Sequence, residues 1–219
     1  MSQIMNNMRL AIGVPIGSEY IPWRFMASLN ELQKPSVTGF IYRQGSLVDV
    51  NRNEIVKLML NHPAKFTHLC FVDSDMVFSS DTIVKLAERN KPVVGALCYQ
   101  RIAPFAAVTF DRKEVSATES KFEKTVAKPD ATGLAQVAGC GTGLVLIERS
   151  VFEKIPPPWF KIEWNAAGQH RGEDLYFSEL CHQHQIPIFV DTTVSAGHLT
   201  VAKVDKDPNS LGHQIVLMS

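Results

Sequence analysis

The chain has no surplus of charge of either sign, no cysteines paired as CxxC, and no apolar run approaching the ~20 residues that a membrane-spanning helix needs. Each absence excludes something. Lys plus Arg number 22 and Asp plus Glu number 22, a formal net charge of zero, so no global basic field exists to hold a polyanion by counterion release. Nucleic acid is therefore not implied by charge. Cys70, Cys98, Cys140 and Cys181 lie far apart and three of them sit inside apolar runs, which suits buried free thiols better than disulfides or zinc. The start, MSQIMNNMRLAIG, carries Asn6, Asn7 and Arg9 where a signal peptide needs an unbroken apolar core. A soluble, cytoplasmic protein is the expectation. There is also no internal repeat.

What is present is enough apolar residue, 45% of 219, to bury the core of one domain. Met8 to Ile16 reads as a buried strand closed by Pro15 and Gly17, and Tyr20 to Gln33 reads as a helix. Val37 to Arg43 is a second strand. Asp49 is placed to cap a helix through Asn61, with Ile55, Val56, Leu58 and Met59 as its buried side. Phe66 to Val72 is a third strand, Ser79 and Ser80 offer caps to a helix ending near Asn90, and Pro92 to Tyr99 is a fourth strand. This alternation predicts an α/β fold with a mainly parallel, Rossmann-like central sheet covered by helices on both faces.

Beyond residue 100 the pattern changes. Asp111 to Asp130 is charged and aperiodic, an expected exposed excursion or hairpin. Leu134 to Ala138 and Thr142 to Ile147 resume as strands around Gly139-Cys140-Gly141. A short helix after Ser150 is stopped by Pro156-Pro157-Pro158. A last helix opens at Gly172 or Glu173, with Phe177, Leu180, Cys181 and His184 as its inward stripe.

The chemistry-bearing stretch is FVDSDMVF, Phe71 to Phe78. It follows a strand apolar enough to be central, and in open α/β sheets ligands bind beyond the carboxyl ends of such strands. Asp73 and Asp75, two apart in extended chain, project the same way and can present together to one hard cation such as Mg²⁺ or Mn²⁺. The plainer reading makes Asp73 a turn or helix cap and Asp75 a solvated loop acid. A bare DxD decides nothing between them.

FVDSDMVF, followed by a capped helix and KPVVGALCY, resembles the DxD region of GT-A fold glycosyltransferases of the family 2-like, metal-dependent kind. VAGCGTGLVLIERSVFEKI, Val137 to Ile155, looks like the glycine-rich acceptor-side strand pair of that superfamily. RGEDLYFSELCHQHQIPIFVDTTVSAGHL, Arg171 to Leu199, looks like its acidic "ED" helix followed by a metal-binding His. Upstream, the Val14-Pro15 strand end and Asn51-Arg52-Asn53 match the nucleotide-binding half in kind. The resemblance runs from Leu10 to Leu199. It implies a single domain over 1–219, with a nucleotide-binding half over 8–100, an acceptor-side half over 101–199 and a tail over 200–219.

The resemblance also implies roles. Asp75 would ligate the metal, Asp73 would contact ribose or reach the metal through water, and His198 would be the third protein ligand. Two oxygens plus an imidazole favour Mn²⁺, or Mg²⁺, over Ca²⁺. The donor would be a nucleoside-diphosphate sugar, with the metal neutralising its leaving diphosphate. Asp174 would take the proton of the acceptor hydroxyl, with Glu173 bonding acceptor or backbone. Acids at a helix start are equally favoured by the helix dipole alone. Pro15 and Glu19 would face base or ribose, Arg52 the diphosphate or base edge, and Gly141, with Gly139 and Gly143, would permit close backbone approach to sugar or acceptor. Lys203 and Lys206 would cover the diphosphate if the tail folds back. Trp159, Trp164 and His170 would offer stacking faces to a sugar. The acceptor would be a small molecule, a glycan or a modified DNA base of the kind small bacteriophage enzymes glycosylate, the compartment then being the host cytoplasm.

Two other readings compete. DSDMV also matches the first motif of haloacid-dehalogenase-like phosphatases, with Asp73 as nucleophile, but there the motif follows the first core strand, whereas here two strand–helix units precede it. A nucleotidyltransferase would need a glycine-rich, basic loop where this chain has GVPIGSEYIP. The other class is a binding module that holds a nucleotide sugar without turning it over.

Overall fold

The computed structural model describes residues 3–115, 120–164, 170–206 and 213–218, with side chains described over 5–115, 120–164, 170–202 and 215–217. The first half runs α1 (Gln3–Asn7), β1 (Arg9–Ile16), α2 (Trp23–Glu31), β2 (Val37–Gln44), α3 (Val48–Asn61), β3 (His68–Val72), β4 (Met76–Phe78), α4 (Thr82–Glu88) and β5 (Val93–Cys98). Next come β6 (Thr109–Glu114), β7 (Ser120–Lys124), β8 (Leu134–Val137), β9 (Gly139–Cys140), β10 (Leu144–Glu148) and α5 (Arg149–Lys154). The chain closes with β11 (Glu163–Trp164), β12 (His170–Arg171), α6 (Glu173–Gln183), β13 (Ile188–His198), β14 (Val201–Lys206) and β15 (His213–Met218).

The central sheet has the order β2-β1-β3-β10-β5-β13-β4, with β8 also paired to β13. It is mixed, not mainly parallel. β1 is parallel to β2 and β3, and β5 to β13, while β10 is antiparallel to both β3 and β5, and β13 is antiparallel to β4 and β8. The strand–helix alternation of the first hundred residues does give parallel neighbours β2, β1 and β3. Inserting β10 between β3 and β5, from later in the chain than either, reverses the direction there. Apolar strands look alike whichever way they run, so composition alone does not distinguish the two arrangements.

Alternation along each strand sorts the core into two layers. From β3, Leu69 and Phe71 face the layer with Ile55 and Met59 of α3, Phe152 of α5 and Phe177 of α6. Cys70 and Val72 face the other, with Met5, Phe25 and Leu29, and Ile83 and Leu86 of α4. β13 changes faces part-way: Ile188 and Val190 join the first layer, Val194 and Ala196 the second. The pairing with β5 is irregular between Asp191 and Ser195, and that irregularity turns the strand over. All four cysteines are buried free thiols.

Two local expectations are corrected. The chain after Asp75 forms β4 before α4, so α4 begins at Thr82 after Asp81, and neither Ser79 nor Ser80 caps it by side chain. Leu47, not Asp49, occupies the cap position of α3; Asp49 Oδ1 instead accepts the Val50 N–H at 2.9 Å and Oδ2 the Ile162 N–H at 3.3 Å. The 200–219 tail contains a two-stranded hairpin, β14 with β15. The charged excursion is a hairpin, β6 with β7, whose Arg112 makes two bonds to Glu179 of α6.

Candidate active site

The site lies at the carboxyl edge of β1 and β3. β3 is an unbroken apolar run paired on both sides, so the chain leaving it at Asp73 is held closely: the Asp73 N–H donates to Gly143 C=O at 2.8 Å and the Met76 N–H to Asp73 C=O at 3.1 Å. Asp73 and Asp75 therefore sit on a tight turn rather than on extended chain. The antiparallel pairing of β4 with β13 sets His198 opposite Met76, and the Leu199 N–H donates to Asp75 C=O at 2.8 Å. A segment more than a hundred residues later is thus stitched to the acidic turn.

Beside this turn is a cleft of about 760 Å³. Pro15, near the end of β1, stands at one wall, Tyr20 and Trp23 stand exposed at the mouth, Asp73, Ser74 and Asp75 form the acidic side, and Leu199 to Val201 close another side. Its size and its mix of aromatic rings and convergent polar groups suit a small organic ligand.

Arg52 is the most buried charged side chain of the region, 2% exposed. Its Nη2 donates to Asp73 Oδ1 at 2.8 Å and its Nε to Glu173 Oε1 at 3.3 Å. The guanidinium carbon lies 5.2 Å from the centre of the Phe71 ring and 6.0 Å from that of Phe160. Phe71, Phe160, Phe177 and Phe152 continue as an aromatic cluster beneath it, edge to face between Phe71 and Phe160 and stacked between Phe160 and Phe177. Arg52 therefore does not line the cleft but lies under two carboxylates. Burial alone would lower its pKa, and Asp73 and Glu173 outweigh that and hold it raised. Burial raises the Asp73 carboxyl, which Arg52 opposes and Asp75 reinforces.

α6 begins with Glu173 and Asp174. Asp174 Oδ1 accepts the Leu175 N–H at 2.7 Å. Its residue is only partly covered, yet its carboxyl is sheltered, and desolvation followed by the Glu173 charge pushes it up to about 6. A carboxylate with that value takes up a proton near neutral pH.

Asp75 Oδ2 is engaged by Arg101 Nη1 at 2.9 Å, and His198 Nδ1 lies 2.6 Å from Tyr99 C=O. The donor chemistry of Asp73, Asp75 and His198 suits a divalent cation. Among the described residues, however, no three His, Cys, Asp or Glu side chains gather to hold one, and Arg52 and Arg101 engage the two carboxylates. Glu19 is exposed and, like Gly141, does not line the cleft; a Cβ at Gly141 would meet Val108 Cγ1 at 2.8 Å, which accounts for the glycine by packing. Gly143 is the glycine that faces the acids, where a Cβ would stand 3.5 Å from Asp73 Oδ2. Trp159 is buried and donates Nε1–H to Ile155 C=O, a core role. Trp164 is exposed and its ring lies 5.2 Å from that of His170. Lys203 and Lys206 lie on β14, and their side chains fall outside the described residues.

Sequence reasoning missed Tyr20, Trp23 and Arg101. A signal existed for each, because aromatics after the first strand's loop and a cation just past a central apolar strand fall at the ligand-binding edge of the sheet.

No protein-family model matches the chain, and no curated protein sequence matches it. Among solved structures, the crystal structure of A197 from STIV is similar over 97% of this chain and 95% of that one, with a TM-score of 0.57 and 21% identity. The crystal structure of GalNAc-T7 with UDP, GalNAc and Mn²⁺ is similar over 87% of this chain, with a TM-score of 0.56 and 10% identity; the match spans 44% of that chain. At such identities the likeness is one of fold, and it supports a GT-A-like α/β architecture around the mixed sheet.

Proposed function

We propose that the chain is a glycosyltransferase that moves a sugar from a nucleoside-diphosphate sugar to an acceptor hydroxyl. The observation that carries this reading is the bridge Asp73–Arg52–Glu173, which ties the acidic edge of a nucleotide-sized cleft to the start of α6, where Asp174 follows Glu173 with its carboxyl pushed up to about 6. The fold shared with a glycosyltransferase crystallised with UDP and Mn²⁺ supports it. In this reading residues 1–219 form one domain, with the donor held by 8–100 and the acceptor by 101–199.

The nucleoside lies in the cleft between Pro15 and the rings of Tyr20 and Trp23, with Asp73 toward its ribose. Asp174 accepts the proton of the acceptor hydroxyl as that oxygen bonds to the anomeric carbon in an inverting course, and the nucleoside diphosphate leaves with the electron pair of the bond that breaks. Glu173 bonds the acceptor or holds Arg52. A divalent cation, Mn²⁺ or Mg²⁺, would be held by Asp75 with Asp73 and His198 only if these side chains drew together from where they stand, and the chemistry it would supply is neutralisation of diphosphate charge. Arg101 stands at the cleft wall, where on leaving Asp75 it can contact phosphate oxygens.

The test is a thermal-shift screen of nucleoside diphosphates with Mn²⁺ or chelator, followed by assay of radiolabelled nucleotide sugars. A diphosphate shift that needs metal and disappears in Asp75→Ala is expected. Equal shifts in chelator would remove the cation from the reading. Binding with no sugar release, unaffected by Asp174→Asn, would identify a binding module instead, and release of phosphate from phosphomonoesters lost in Asp73→Asn would identify a phosphatase.

A further inference from the structure

We propose that Arg52 is a positioning residue that couples the donor side of the site to the acceptor-side helix α6, by dividing one guanidinium edge between Asp73 and Glu173. The inference rests on the nucleoside-diphosphate reading of the cleft.

The Nε–H and Nη2–H of arginine form a fork that one carboxylate normally takes bidentately. Here the fork is split: Nη2 serves Asp73 at 2.8 Å, and Nε serves Glu173 at 3.3 Å, 121 residues away from Arg52 in sequence. Two negative groups therefore share one positive charge. Nη1 is buried with no hydrogen-bond partner among the described residues, so the bonds of this arginine are concentrated on the edge that the two carboxylates share. The rings of Phe71 and Phe160, edge to face with each other, lie 5.2 and 6.0 Å from the guanidinium carbon and form an apolar floor beside it.

A split fork makes the two carboxylates competitors. Whatever draws Glu173 away lets Asp73 take both donors, and whatever draws Asp73 into ligand contact tightens the hold on Glu173 beside Asp174. Because binding linkage is reciprocal, donor binding at Asp73 and acceptor binding at α6 then influence each other. The consequence is specific: Glu173 does not line the cleft, yet its removal alters nucleotide affinity.

The test uses the full chain and whichever of UDP, GDP, CDP, ADP and dTDP stabilises it most, with affinity read by calorimetry. Glu173→Ala and Glu173→Gln are expected to weaken that affinity by about five-fold or more, the lower end of ordinary coupling. In an Arg52→Lys background, where a point charge replaces the fork, Glu173→Ala is expected to change affinity less than two-fold, by the same linkage. With wild-type protein, an acceptor-site change should move kcat through α6 and KM for the donor together, a pattern that loss of folding does not mimic. Unchanged affinity in both Glu173 variants, each melting as the wild type does, overturns the coupling. If Arg52→Lys does not fold, the Glu173→Gln affinity alone decides. Failure of every diphosphate to bind the wild type would instead overturn the functional reading from which the inference starts.

Discussion

Arg52 and Asp73 meet at 2.8 Å beneath the cleft, joining the first turns of α3 to the end of β3 with an arginine that is 2% exposed. Removing the arginine leaves Asp73 and Glu173 facing each other over an apolar floor. Arg52→Met is expected to lower stability by ~3–5 kcal/mol, because an uncompensated buried charge is the expensive product of breaking such a pair. Urea unfolding measures it. Adding Asp73→Asn and Glu173→Gln to Arg52→Met should recover much of the loss, and a triple variant no more stable than the single one would show that lost packing, not charge, is responsible.

Asp174 gives a pH dependence of known sign. Its folded-state pKa is raised, to about 6 from the ordinary 3.8, so the folded protein holds that proton more tightly than the unfolded chain. The stabilisation this supplies is complete below the ordinary value and is lost as pH rises through about 6. Ionised Asp174 then costs ~1–3 kcal/mol at pH 7.5. Asp174→Asn should therefore melt higher than the wild type at neutral pH and not at pH below the ordinary carboxylate range. Sugar transfer should fall by ~10²–10⁴-fold in the same variant, the usual contribution of a general base. A wild-type rate that does not rise between acid pH and neutrality would remove Asp174 from that role.

A second buried carboxylate lies on β13, paired with Arg89 at the end of α4. Asp191 is wholly buried, accepting from Arg89 Nε at 2.6 Å and from the N–H and hydroxyl of Thr193. Burial alone would raise this carboxyl, but the Arg89 and Thr193 bonds outweigh it and leave it lowered. Its contribution to stability is present above the unfolded carboxylate value and is lost as pH falls through the lowered folded one. Asp191→Asn should unfold with less acid dependence than the wild type, measured by circular dichroism across an acid titration; parallel titration curves would argue against the pair.

Arg101 and Asp75 form an exposed pair by comparison, with the arginine 57% exposed. Arg101→Ala should leave the melting temperature nearly unchanged, since such pairs contribute ~0–1 kcal/mol. It should also free Asp75 for a cation and tighten Mn²⁺ binding by about two- to five-fold, the affinity equivalent of that energy. Electron paramagnetic resonance of Mn²⁺ reads this without any substrate. Weaker Mn²⁺ binding in the variant would mean that Arg101 does not compete for Asp75.

Much of this arrangement was legible in the residues. The apolar run ending in FVDSDMVF became β3 and its acidic turn, the Glu173 helix start is the observed one, and Pro15 and both acids meet at one cleft. Those features depend on periodicity and turn chemistry within a few residues, where local sterics and burial decide the outcome. Arg52 and Glu19 were different. Read alone, each is a polar residue after a strand or at a helix start; the fold leaves Glu19 in solvent and puts Arg52 under two carboxylates.

The sequence by itself determined most of the strands and helices up to β13 and the positions of the acids, because these follow from side-chain spacing along the chain. Only the tertiary structure decided that β10 would enter between β3 and β5, that β13 would turn over beside Asp191, and that Arg52 would divide itself between Asp73 and Glu173. Such pairings are chosen by burial and charge compensation among groups some tens to over a hundred residues apart, and no local pattern carries that choice.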